Sequence, residues 1–121
     1  MFDLRIILNV FYKPNKILQE YIERNRHLYL PVNGGCSLRR DGWCRNNLIM
    51  DDSHDNISRL NSKLNEMTSI YWIWKNYWNE DVKYIGFNHY RRMFSPADIK
   101  DYHDYDIIVA KPYNLISNVL D

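Results

Sequence analysis

The sequence predicts an α/β domain with a mainly parallel sheet and flanking helices. Three observations carry this prediction. Strand-like and helix-like segments alternate along the chain, the pattern of strands joined by crossover helices. The segment Ser62–Trp78 places large apolar residues at helical spacing. A short apolar segment ends abruptly in His89-Tyr90-Arg91-Arg92, and parallel strands deliver their functional groups at such carboxyl ends.

The elements follow in order. Leu4–Tyr12 is rich in Ile, Leu, Val and Phe and reads as a buried strand, ended by Lys13-Pro14-Asn15. Lys16–Arg24 sets Ile17, Leu18, Tyr21 and Ile22 on one helical face. His27–Val32 reads as a second strand, closed by Asn33-Gly34-Gly35. Cys36–Ser58 is polar and irregular. In the long helix Leu64, Met67, Tyr71, Trp74 and Trp78 form one stripe, widened by Ile70, Ile73 and Tyr77. That pattern predicts a helix buried over much of its girth, with Trp72 and Trp74 in the core and Asn61 or Ser62 as its cap. Strands are predicted at Lys83–Asn88 and Asp106–Ala110.

Composition narrows the function classes. A chain of 121 residues suits one domain. A formal charge of +1 gives no global electrostatic case for nucleic acid. Ten Tyr and four Trp suit a core and also the stacking of bases or sugars. Cys36 and Cys44 lack paired zinc-site spacing and are expected as thiols of a cytoplasmic protein, with a disulfide as the alternative. The apolar run at the start is short and carries Arg5, unlike a signal peptide, and no segment is long enough to span a bilayer.

Arg91 and Arg92 at a strand end suit a phosphate-bearing ligand, because guanidinium makes bidentate, charge-assisted hydrogen bonds to phosphate oxygens. The competing reading is an exposed basic turn. His89 is either a donor in such a site or a satisfied polar group at the strand end.

The surrounding boxes add to this. Asp51-Asp-Ser-His-Asp-Asn-Ile-Ser58 precedes Glu66-Met-Thr-Ser-Ile-Tyr-Trp-Ile-Trp-Lys-Asn76, then His89-Tyr-Arg-Arg92, then Asp106-Ile-Ile-Val-Ala-Lys-Pro112. In this order they resemble a family of bacterial glycosyltransferase domains from capsular polysaccharide and exopolysaccharide gene clusters. The resemblance runs from Leu4 to Tyr113.

The resemblance implies half of a nucleotide-diphosphosugar (GT-A-like) glycosyltransferase fold. Residues 1–113 would be the nucleotide-sugar-binding part and 114–121 a truncated tail. Substrate-binding roles are implied for His89, Tyr90, Arg91 and Arg92, for Asp55, Asn56 and Ser58, for Glu66 and Thr68, and for Tyr12 and Lys13 beside the nucleotide base. Asp51, Asp52 and Asp55 are the local candidates for a catalytic base. His54 stands where family members often carry Gly. His89-Tyr90-Arg91-Arg92 occupies the place where many such enzymes hold a metal through Asp-x-Asp, so no metal or other cofactor is expected, with Mn or Mg as the alternative. Asp104-Tyr105-Asp106 is not assigned to metal, because it opens a predicted strand instead of closing one.

The expected function is transfer of a hexose from a nucleotide diphosphate sugar to a saccharide or lipid-linked acceptor. The expected location is the cytoplasm, with peripheral association at the inner face of the membrane and no nucleic acid partner. Self-association through surface left uncovered is expected for so short a chain. The alternatives are a truncated, non-catalytic remnant and an RNA- or phosphate-binding module.

Overall fold

β1 (Leu4–Val10) is the spine of the sheet, paired on both sides and buried on both faces. The structure, a computed structural model, describes residues 3–11, 14–39, 44, 48–78 and 82–110. β1 is followed by α1 (Lys16–Arg24), β2 (Tyr29–Asn33), β3 (Ile49–Met50), α2 (Asn61–Leu64), α3 (Met67–Trp72) and β4 (Tyr84–His89). The strand order is β3-β2-β1-β4 and every pairing is parallel. This is an α/β fold with flanking helices, consistent with a GT-A-like half-domain.

Alternation along β1 separates two cores. Ile6, Leu8 and Val10 pack with Ile22 of α1, Leu28, Tyr29 and Ile99. Ile7 faces the other way, with Val32, Trp72 and Ile73. One helix layer therefore covers each side of the sheet. α1 forms as its sequence predicts: the Asn15 side chain accepts the Leu18 N–H at 2.9 Å, and Asn25 closes the far end on the carbonyls of Tyr21 and Ile22. Among the described residues no helix is long and apolar enough to cross a membrane.

The long helix departs from expectation. It is interrupted at Asn65, whose φ of 50° and ψ of −128° stop α2, and α3 runs into a π-helical turn at Ile73–Tyr77. The buried side of α3 is Thr68, Ser69 and Trp72, continued by Ile73. The stripe of Leu64, Met67, Trp74 and Trp78 is exposed, and Trp74, expected in the core, is 61 % exposed. Periodicity marks an apolar face but not the buried one: polar anchors under Thr68 and Ser69 turn the opposite face to the sheet. Lys75 lies over the Trp74 ring at 4.0 Å, partly shielding it.

Three further expectations change. Asp106–Ala110 forms no strand, and its Ile107 and Val109 are exposed. A β-branched run becomes a strand only when it pairs with an edge, and this one makes no ladder pairing although β4 is the outer strand of the sheet. β3, within the stretch read as irregular, is too short for an alternation pattern to reveal. Cys36 and Cys44 are joined in a disulfide, with Cα atoms 6.0 Å apart, where two thiols were expected. A separation of eight residues makes that closure cheap in chain entropy; the thiol expectation rested on compartment, not geometry. The expected tail, 114–121, lies outside the described residues.

The two neighbouring tryptophans separate these alternatives. Trp72→Ala should cost about 3–5 kcal/mol, as truncation of a buried aromatic does, whereas Trp74→Ala should stay within about 1 kcal/mol. Urea unfolding followed by far-UV circular dichroism compares them. Equal losses in both variants would contradict the observed face.

Candidate functional site

The order β3-β2-β1-β4 creates a reversal point. From β1 the chain moves outward through α1 to β2 and β3, then returns across the other face and adds β4 on the far side of β1. In open α/β sheets the crevice outside the carboxyl ends of strands at such a point is where ligands bind. A crevice of about 310 Å³ lies there, lined by Asn9, Phe11, Asn61, Asn65, Glu66, His89, Tyr90 and Arg91.

The floor of this crevice is a buried polar network. Asp51 follows β3 directly and is 0 % exposed. Its carboxylate accepts four hydrogen bonds. They come from the Gly35 N–H at 2.8 Å, the Cys36 N–H at 3.1 Å, the Ser58 hydroxyl at 2.6 Å and the Thr68 hydroxyl at 2.6 Å. A buried carboxylate is tolerable only when its acceptor sites are filled in this way. Asn61 donates to the Thr68 hydroxyl at 2.9 Å and to the Asn65 carbonyl at 2.8 Å, which holds the helix break in place. Ser69 donates to Asn9 of β1 at 2.6 Å. Gly35, at φ 70°, is pressed against Asn61, where a Cβ would come within 2.6 Å; only glycine meets both demands without strain.

β4 supplies the charged wall. The Tyr90 N–H bonds the Asn9 carbonyl at 3.1 Å and the Arg92 N–H bonds the His89 carbonyl at 2.9 Å, folding the chain back at the strand end. The Arg91 N–H donates to His89 Nδ1 at 3.1 Å, so that nitrogen carries no proton. Burial pushes the His89 pKa below its ordinary value, with Arg91 and Arg92 acting the same way and Glu66 opposing them. His89 is thus a neutral imidazole that leaves Nε2 as its donor. The Arg91 guanidinium lies over the Tyr90 ring at 5.5 Å.

The structure brings His89, Tyr90, Arg91 and Glu66 of the expected site residues together at the crevice. Arg92 is exposed and does not line it. Ser58 and Thr68 are fully buried as donors to Asp51, and Asp51 itself faces no solvent. Asp52 is exposed outside the crevice lining. Asp55 is held on the helix, accepting from the Tyr71 hydroxyl at 2.9 Å, while its carbonyl accepts from Asn76 at 2.8 Å. Asn56 accepts the Ser58 N–H at 3.2 Å and shapes the loop as an Asx turn. His54 adopts φ 50°, the left-handed region that glycine enters most easily. Tyr12 and Lys13 lie outside the described residues.

Asp104 and Asp106 sit at the amino edge of the sheet. The preceding Tyr102 and His103 clasp Asp3 ahead of β1, and Asp106 shares a groove with Leu4 and Tyr84. The side chains that sequence reasoning missed are Asn9, Phe11, Asn61 and Asn65. Asn9 carried a signal: it is a polar residue inside an otherwise apolar strand.

A family model matches residues 7–119. The chain belongs to the family described as Domain of unknown function (DUF4422). That description names no activity. No curated protein and no solved structure matches the chain. The match covers both halves of the crevice of this DUF4422 domain, from β1 through His89-Tyr90-Arg91-Arg92.

Two outcomes follow from the network and its wall. Asp51→Ala leaves two N–H groups and two hydroxyls without their acceptor and should cost more than about 3 kcal/mol, read by urea unfolding; a loss under 1 kcal/mol, on the order of an ordinary surface change, would contradict the network. For His89, the folded pKa lies below its ordinary value of 6.5, so the unfolded chain binds the proton more readily. Its contribution to stability should be present above pH 6.5 and shrink as pH falls from there toward the lower folded value. Melting curves of wild type and His89→Gln across this range should differ in slope, and parallel profiles would contradict a neutral His89.

Proposed function

We propose that the crevice binds the diphosphate of a nucleotide sugar and that the chain is the donor-binding part of a glycosyltransferase. The acceptor in this reading is a saccharide or a lipid-linked precursor of capsule or exopolysaccharide. The observation that carries it is the convergence of Arg91, Tyr90 and neutral His89 at the carboxyl ends of β1 and β4. Arg91 makes no ion pair or hydrogen bond through its guanidinium to the described residues, so its donors are available to an anion. The likeness of the sequence boxes to capsular glycosyltransferases supports the same reading.

The chemistry asked of the protein is modest. When a sugar leaves its nucleotide diphosphate, negative charge grows on the departing phosphate. A guanidinium fixed in place stabilises that charge without reorganising solvent. His89 Nε2–H is a second, neutral donor beside it. In this reading the clamp works without a metal ion, and Arg91 carries more of it than Arg92.

Calorimetry with inorganic pyrophosphate and with uridine diphosphate tests the clamp. Arg91→Ala should weaken binding by about 1.5–3 kcal/mol, the scale of a hydrogen bond to a charged group, and Arg91→Lys should restore only part of it. Arg92→Ala should lose less. Binding should survive a chelator. Unchanged affinity in Arg91→Ala sinks the phosphate role, and loss in chelator restored by manganese sinks the metal-free clamp.

A further inference from the structure

The geometry points to Glu66 as the group that reads the sugar, selecting a neutral hexose phosphate over one that carries a carboxylate. This rests on the phosphate reading of Arg91. Glu66 stands just before α3, and among the described residues it is the only carboxylate that lines the crevice. The acidic residues of the preceding loop are placed elsewhere. Asp51 is buried under four donors, and Asp55 is tied to Tyr71.

The Glu66 carboxylate makes no hydrogen bond and no ion pair with the described residues. Arg91 lines the same crevice and does not pair with it. Two opposite charges therefore share one crevice while both stay available to a ligand. Glu66 is near enough for its field to act on His89. Three amides, Asn9, Asn61 and Asn65, line the same crevice.

Such a bipolar crevice orients a ligand that is anionic at one end and rich in hydroxyl groups at the other. The phosphate goes to Arg91. Glu66, an ionised carboxylate, has acceptors only, so it takes hydrogen bonds from sugar hydroxyls. A uronic acid would set a second carboxylate against it, and like charges placed opposite one another disfavour binding. The sugar class is thus set by one side chain: neutral hexoses are accepted and uronic acids are refused.

Titrations of the intact chain with glucose 1-phosphate, glucuronate 1-phosphate and inorganic pyrophosphate, followed by NMR, test this without any need for turnover. Wild type should bind glucose 1-phosphate roughly tenfold or more tightly than glucuronate 1-phosphate, the scale of one charged contact. Glu66→Gln is isosteric at an exposed position; it should close that gap while keeping or strengthening pyrophosphate binding. Equal binding of both sugar phosphates by wild type, or a gap that persists in Glu66→Gln, overturns the role of Glu66 while pyrophosphate binding keeps the clamp standing. Binding of pyrophosphate with neither sugar phosphate does the same. Wild type that binds no pyrophosphate overturns the clamp and, with it, this inference.

Discussion

Asp51 is the constraint on which the rest of the structure turns. One buried carboxylate gathers the Gly35 and Cys36 amides, the Ser58 hydroxyl and the Thr68 hydroxyl. These come from the loop after β2, the turn before α2 and the first turn of α3. They are held at the sheet by hydrogen bonds to a single charge, a class of bond stronger than the neutral kind. The arrangement is unforgiving, since a buried donor left without its acceptor costs its full desolvation.

This network also decides which face of the helix is inside. Thr68 and Ser69 are small and polar, yet they point at the sheet because Asp51 and Asn9 receive their hydroxyls. Trp72 and Ile73, one turn further on, follow them into the core. The larger stripe of Met67, Trp74 and Trp78 is left on the opposite side. The Asp51–Ser58 loop and the Tyr71–Asn76 segment are joined by the same logic. Tyr71 bonds Asp55, Trp72 bonds Ser53 and Asn76 bonds the Asp55 carbonyl. Much of what looked like a ligand-reading box is a clasp between loop and helix.

The crevice inherits its position from the topology and its charge from few residues. Reversal of strand order between β1 and β4 opens the carboxyl edge, and Asn9 and His89 are the last paired residues of those strands there. The backbone fold at Tyr90–Arg92 then sets Arg91 against the crevice that Glu66 borders from the helix side. Two opposite charges that do not meet give the crevice a direction, which neither charge would give alone.

The sequence by itself determined the α/β class, the parallel sheet, β1, α1, β2 and β4, and the position of His89-Tyr90-Arg91-Arg92 at a strand end. These depend on local patterns: apolar runs, turn residues and a cap at Asn15. Glu66 was legible as a candidate only through its box, and Asn9 only as an odd polar residue in a strand. What the tertiary structure alone decided was which side chains are spent inside. Asp51, Ser58 and Thr68 have the chemistry of ligand-binding residues, and their types cannot say whether a substrate or a neighbouring segment takes their hydrogen bonds. Trp74 has the chemistry of a core residue, but an apolar stripe is buried only if no stronger anchor turns the helix away. Asp106–Ala110 has the composition of a strand yet does not pair with the outer edge of β4. In each case the deciding partner is remote in sequence, and local pattern carries no information about it.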